Sequence, residues 1–143
     1  MPKRKFDACV AGCVSRDVLA HVADKWTVLV LVVLTERTTR FNELRRRVQG
    51  ITQKVLTRTL RDLERQGLVS REVFAEVPPR VEYTLTALGR SLVKVLEGVQ
   101  EWAEAHAGEV MLAKQRFAEK QAALMSPPGR VAVRVVKAMS RGA

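Results

Sequence analysis

The chain holds 143 residues with a formal net charge of +10 and a pI near 10.4. That length suits one domain with an appended segment, and a composition of 47% hydrophobic and 28% charged residues excludes a wholly disordered basic tail. The basic excess favours an anionic partner, either nucleic acid or an acidic membrane surface.

Met1 to Ala8 is polar and basic and reads as a loose arm; Asp7 and Arg16 break up any secretory signal. Ser15 is a candidate cap for a helix running to about Ala23, with Val18, Leu19 and Val22 on one face. The run Trp26 to Leu34 is almost wholly apolar and rich in valine. Its stretch Val28–Leu34 is far shorter than the ~20 residues of a membrane span. By period and propensity alone it suits a buried strand or a buried helix.

Glu36 to Arg40 reads as a polar turn, after which Asn42 can cap a short helix bearing Phe41, Leu44 and Val48 and ending at Gln49-Gly50. Thr52 caps a longer helix that Gly67 stops from the C′ position. Leu68 to Phe74 is β-prone, the segment around Pro78-Pro79 cannot be regular structure, and Val81 to Leu85 alternates. Together they predict a β-hairpin with a stiffened tip. Thr86 caps a last long helix whose Leu88, Leu92, Val95, Val99 and Trp102 follow the 4-3-4-3 spacing of a coiled-coil seam. The pattern weakens beyond Phe117, Ser126-Pro127-Pro128-Gly129 breaks it, and a short basic tail follows.

Two helices joined by a tight turn and followed by a hairpin give the order of a winged helix-turn-helix. At 100° per residue, Val55, Leu56, Thr59, Leu60 and Leu63 gather on one side of the second helix. Lys54, Arg58, Arg61 and Arg65 gather on the other, flanked by Gln53 and Thr57. A basic stripe of this kind neutralises phosphates, and amide or forked side chains near a helix N-terminus can reach base edges. Gln53, Thr57 and Arg58 are the candidate base readers. Lys54, Arg61 and Arg65 suit phosphate, and the alternative is a solvated face paired with Asp62 and Glu64. Arg45, Arg46 and Arg47 crowd the end of the preceding helix. Arg40, Arg46 and the cap Thr52 join the DNA-binding candidates, as do Arg71 and Arg80, which bracket the hairpin.

Asp24-Lys25-Trp26-Thr27, Arg40-Phe41-Asn42-Glu43-Leu44, the run from Gly50 to Glu64, Val77 to Thr86 and Leu88-Gly89 stand in order along the chain. In these motifs Cys13 to Trp102 resembles the HxlR-type family of bacterial transcriptional regulators, relatives of the MarR group. The resemblance implies a mainly α winged helix-turn-helix with a small β-hairpin wing, dimerising through its N- and C-terminal helices. It makes Trp26 to Leu34 a helix and implies double-stranded DNA and a second copy as partners. The expected organisation is a basic arm over 1–12, a DNA-binding and dimerisation domain over 13–117, and a basic extension over 118–143. That extension is an extra dimer contact, a DNA arm or a disordered end.

Cys9 and Cys13 do not form a disulfide framework, and a reducing cytoplasm is the expected compartment. Cys13 precedes a helix start and lies near Arg16, Lys3 and Lys5 in sequence, a setting that favours thiolate. Cys9 is four residues away and would approach it if the segment were helical. In some relatives of the resembled family a cysteine near this place senses oxidants or electrophiles, so Cys13, with Cys9, is the redox-sensing candidate; a small buried thiol is the plain alternative. His21 and His106 with two cysteines make no recognisable metal set. No nucleophile elbow or phosphate-binding glycine loop is present. The expected protein is therefore not an enzyme, needs no cofactor or metal, and does not act at a membrane. Its competitors are an architectural DNA binder and a regulator answering to a small-molecule ligand.

Overall fold

A computed structural model describes residues 6–126 and Gly129. In chain order the elements are α1 (Val14–Val22), α2 (Lys25–Glu36), β1 (Thr39–Arg40) and α3 (Phe41–Arg47), then α4 (Gln53–Arg65), β2 (Val69–Phe74), β3 (Arg80–Leu85) and α5 (Ala87–Met125). The sheet is antiparallel in the order β1-β3-β2. This is the mainly helical winged helix-turn-helix expected from the sequence. Two compact units divide after Trp102. Residues 1–5 of the expected arm and 130–143 of the expected extension lie outside the described residues.

Helix starts follow backbone context as well as side-chain chemistry. Cys13, not Ser15, occupies the N-cap of α1 with extended φ −75° and ψ 134°, and Ser15 lies inside the first turn. The preceding residues make two successive turns, Val10 N–H to Asp7 C=O and Cys13 N–H to Val10 C=O. Gly12, at φ +79°, takes the left-handed conformation that glycine tolerates. This segment is not helical, so Cys9 does not sit one turn from Cys13 on a helix face, as the spacing had suggested. The Asp24 carboxylate caps α2, accepting from Trp26 N–H at 3.1 Å and Thr27 N–H at 3.2 Å. A helix charged only at its first and last residues, Lys25 and Glu36, and apolar almost all round between them belongs in a core, and Val30, Leu31 and Leu34 of α2 are buried.

The expected turn over Glu36 to Arg40 contains a strand. Thr39 pairs with Tyr83 and Arg40 with Glu82, and the buried Thr39 hydroxyl donates to Arg37 C=O at 2.9 Å. A two-residue strand is too short to carry a period. Its pairing holds Arg40 extended, at φ −82° and ψ 156°, so α3 begins directly after it with Arg40, not Asn42, at the N-cap. Thr52 caps α4, its hydroxyl accepting from Val55 N–H at 3.2 Å, and Gly67 at φ +71° follows the C-cap Gln66.

The core joins Val30, Leu31 and Leu34 to Leu44 of α3, Leu56, Leu60 and Leu63 of α4, Val69, Tyr83 and Leu85 of the sheet, and Val93 and Leu96 of α5. Each large side chain among them contributes about 1.5–3 kcal/mol by burial. The Thr86 hydroxyl accepts from Gly89 N–H at 3.0 Å and donates to Gly67 C=O at 2.6 Å, locking the start of α5 against the 67–68 turn. Gly89, Val93 and Leu96 are the buried positions of α5. Leu88, Val95, Val99 and Trp102 are exposed, and Leu92 packs at the edge of the core. In the second unit α5 runs past Phe117 to Met125. No single helix among the described residues is long and apolar enough to cross a membrane; α1 and α2 pass that test only as a pair bent by 74°, and α2 is committed to the core.

Candidate nucleic-acid interface

The basic stripe of α4 stands opposite its buried row Leu56, Thr59, Leu60 and Leu63. Gln53, Lys54, Arg58, Arg61 and Arg65 are all exposed. With Thr57 and Asp62 they line one shallow groove along the helix. Arg65 pairs with Asp62 at 3.2 Å. Among the described residues Lys54, Arg58 and Arg61 have no ion pair within 4 Å. The Thr57 hydroxyl donates to Gln53 C=O at 2.8 Å. Its proton is therefore engaged, and it presents a methyl group and acceptor lone pairs outward. The Thr52 cap leaves Gln53 at the first position of the helix, at the N-terminal end of that groove.

The hairpin has two different faces. Val69 opposes Leu85, Arg71 opposes Tyr83 and Val73 opposes Val81. Directly opposed residues share a face, so Arg71 lies on the face that carries Val69, Tyr83 and Leu85 into the core. The other face holds Arg80, whose guanidinium stacks over Phe74 at 4.0 Å and pairs with Glu76 at 3.1 Å and Glu82 at 3.4 Å. Arg40 reaches the same Glu82 at 3.6 Å. Arg40, Arg46 and Arg80 line a concavity of about 640 Å³ between α3 and the hairpin tip, together with the acids Glu43 and Glu76. Arg71 and Arg80 thus bracket the hairpin from opposite sides, and Arg80 is engaged within it.

At α3, Arg45 and Arg46 are exposed and without ion pairs among the described residues, whereas Arg47 holds Glu36 at 2.7 Å. Arg37 hydrogen-bonds Glu43 and holds its carboxyl below the usual carboxylate range. This ties the end of α2 to the first turn of α3. Trp26 carries Lys25 4.5 Å above its ring and places its edge 3.8 Å from where a Gly50 β-carbon would lie. The Asp24-Lys25-Trp26 motif therefore supports the turn between the two helices of the DNA-binding motif.

Cys13 is half-buried, and Cys9 is exposed. The Cys13 Sγ lies 3.1 Å from the Ser15 Oγ. The Ser15 hydroxyl, with backbone N–H groups, pulls the thiol below its ordinary range, and the Asp7 charge opposes this. The cause is a serine one step inside the helix, in place of the cations expected from sequence. Arg16 is not among the groups that lower it, and Lys3 and Lys5 lie outside the described residues.

Sequence reasoning missed Ser15 as a thiol partner, although a serine two residues beyond an N-cap was the available signal. It missed Glu76 and Glu82 as partners of Arg80 and Arg40, which depends on strand register. It also missed that Tyr83, a core residue at 7% exposure, lines a notch beside α4.

Residues 21–111 match the family model described as HxlR-like helix-turn-helix. An HTH-type transcriptional regulator of Methanothermobacter thermautotrophicus is 51% identical over 82 residues, which span 57% of this chain and 63% of that relative. The HTH-type transcriptional regulator YtfH of Escherichia coli is 41% identical over 106 residues, 74% of this chain and 84% of the relative. Among solved structures, ytfH from Salmonella typhimurium superposes with a TM-score of 0.74 at 36% identity, covering 78% of this chain and 99% of that one. The redox regulator HypR in its oxidised form superposes at 0.60 with 41% identity, covering 65% and 96%.

Proposed function

The chain belongs to the HxlR-like helix-turn-helix family of transcriptional regulators, and from that premise we propose a homodimeric, sequence-specific DNA-binding regulator whose DNA affinity answers to oxidation of Cys13. The observation that carries the DNA reading is the row Lys54, Arg58 and Arg61, exposed on α4 without acid partners among the described residues. A merely solvated helix face would be expected to pair these cations with neighbouring acids. In the proposed complex the N-terminal half of α4 enters the major groove, Gln53, Thr57 and Arg58 meet base edges, and Lys54, Arg61 and Arg65 meet phosphate. Arg46 and Arg71 contact the flanking backbone. Arg40 and Arg80 act mainly by stiffening the wing from its outer face.

The second copy covers the exposed stripe Leu88, Val95, Val99 and Trp102, with Leu92 at its edge. An apolar groove of about 350 Å³ between α1 and α5, lined by Val18, Val22, Leu68, Leu88, Leu92 and Val95, lies on that stripe. Its continuity with the seam favours a second copy over a small-molecule effector. Residues 1–12 serve as an arm, 13–117 as the working domain and 118–143 as an extension, and the protein acts in the cytoplasm.

The sensing reading rests on the lowered Cys13 thiol at the N-cap of a helix proposed to lie in the dimer, and the similarity to a redox regulator supports it. A bond or adduct at Cys13 would shift α1 and so the separation of the two recognition helices. The test is selection of bound sequences from random DNA, with and without diamide, for the wild type and Cys13→Ser. A two-fold-symmetric motif is expected, with half-sites about 34–36 Å apart or a multiple of that, and with affinity that moves on oxidation only when Cys13 is present. Binding with no preferred motif would make the protein an architectural binder. An equal response from Cys13→Ser would remove Cys13 as the sensor.

A further inference from the structure

We propose that Arg61, Arg71 and Tyr83 grip one sugar-phosphate strand in the notch between α4 and the hairpin, a reading that rests on the DNA-binding function proposed above. The notch has a volume of about 220 Å³ and is lined by Thr57, Arg61, Glu64, Arg71 and Tyr83. Its α4 wall is a row at i, i+4 and i+7, which lies along one side of a helix. That row falls on the flank of α4, between the buried side and the groove-facing side. Its sheet wall is the opposed pair Arg71 and Tyr83. Helix and strand thus bring two guanidinium groups and a phenol to one concave place.

Three observations point to an anion there. First, Arg61 and Arg71 have no ion pair within 4 Å among the described residues, although Glu64 lines the same notch. Elsewhere Arg37, Arg47, Arg65 and Arg80 each hold an acid. Second, Tyr83 is 7% exposed, and its hydroxyl makes no hydrogen bond among the described residues. That hydroxyl is not among the fully buried polar atoms that lack a partner, so it keeps contact with solvent in the notch it lines and can donate there. Third, the Thr57 proton is already engaged by Gln53 C=O at 2.8 Å, so the outward donors are the two arginines and the phenol. They match the acceptor oxygens of a phosphate.

Groove geometry supplies the source of that phosphate. A helix in the major groove and a hairpin at the adjacent minor groove must straddle the single backbone ridge between the two grooves. The notch lies between α4 and the inner face of β2 and β3, which is where the proposed ridge would pass. Contacts to a backbone phosphate fix register and carry no sequence information. Glu64 is the one unfavourable group, and it weakens the grip by repulsion.

The experiment titrates the full chain against a labelled random-sequence duplex of about 30 base pairs, long enough for two half-sites, over a range of salt concentrations. Arg71→Ala should weaken binding about tenfold on any sequence and reduce the slope of log K against log salt by about 0.9 for the lost phosphate. Tyr83→Phe should weaken binding about tenfold or more, the worth of one hydrogen bond to a charged acceptor, with the slope unchanged because the phenol releases no counterion. Glu64→Gln should tighten binding. If the wild type binds with a steep slope while Arg71→Ala and Glu64→Gln leave both slope and affinity unmoved, the grip and the Arg71 backbone contact are wrong, and the proposed DNA-binding regulator stands on α4. If the wild type binds no DNA, both fall. Arg71 and Glu64 are exposed, so their variants decide the matter even if Tyr83→Phe disturbs the core.

Discussion

Replacing Gly89 by alanine should spring the joint between α5 and the wing. A β-carbon at Gly89 would lie 2.1 Å from the Leu68 carbonyl oxygen and 3.1 Å from both the Leu68 carbonyl carbon and the Leu85 Cδ2. Ordinary contact lies near 3.5 Å, so the chain must yield by about 1.4 Å. The obstacle is backbone, and no rotamer relieves it. The same carbonyl accepts from Thr86 N–H at 3.1 Å, and the Thr86 hydroxyl bridges Gly67 and Gly89, so any shift also strains these bonds. Overpacking costs about 1–3 kcal/mol and a weakened hydrogen bond about 0.5–1.5 kcal/mol. The better helix propensity of alanine offsets about 1 kcal/mol. The net loss is about 1–3 kcal/mol, a fall in Tm of roughly 3–10 °C for a chain of this size. Gly108 gives the sign control: nothing lies within 4 Å of its would-be β-carbon, so Gly108→Ala should gain up to about 1 kcal/mol. Thermal melts followed by circular dichroism measure both. DNA binding by Gly89→Ala should fall further than the folded fraction does, because the joint aims the proposed dimer helix. A Gly89→Ala protein as stable as the wild type would refute the close approach.

Arg58→Ala should weaken binding to the selected motif by about 1–3 kcal/mol and relax preference at one base position per half-site, read by competition with single-base variants of the motif. Arg65→Ala should weaken selected and random duplexes alike and shallow the salt dependence, though less than a full contact because Asp62 already holds this guanidinium at 3.2 Å. Val99→Glu places a charge in the middle of the exposed α5 stripe and should give a folded monomer by light scattering at micromolar concentration; a dimer of unchanged affinity would move the interface elsewhere. Ser15→Ala removes the main group that lowers the Cys13 thiol. The thiolate is then favoured only at higher pH, so the pH profile of alkylation should move upward and reaction near neutral pH should slow. A profile identical to the wild type would assign the lowering to the backbone alone.

What could be read from the sequence depended on which atoms carried each feature. Thr52 and Thr86 cap with their own hydroxyls, so residue type and position sufficed to place both helix starts. The helical period of Leu56, Leu60 and Leu63, and its 4-3 counterpart on α5, are properties of spacing and read directly. The start of α3 is different: Arg40 caps it because β1 pairs with β3, and no local signal in Arg40 or Asn42 reports that pairing. The same holds for Cys13 and Ser15. The turns at Asp7 and Val10, with Gly12 in the left-handed region, deliver the chain to its helix one step earlier than a serine cap would imply.

Charge was the feature least accessible to sequence. The stock of arginines is plain in the sequence, but their commitment depends on strand register and on which helix flank meets which neighbour. Arg40 and Arg80 face Glu82 because both lie on the outer face of the hairpin, whereas Arg71, nine positions from Arg80, lies on the inner face beside Tyr83. The outer face is therefore close to neutral as a cluster, and the α4 side keeps Lys54, Arg58, Arg61 and Arg71 without acid partners among the described residues. Phosphate is attracted by charge that the fold has not already compensated. The proposed interface is thus set as much by the acids placed on the far side of the wing as by the arginines on the near side. Neutralising Glu82 should accordingly release Arg40, while Glu76 still holds Arg80 at 3.1 Å, and should raise non-specific DNA affinity at the expense of discrimination.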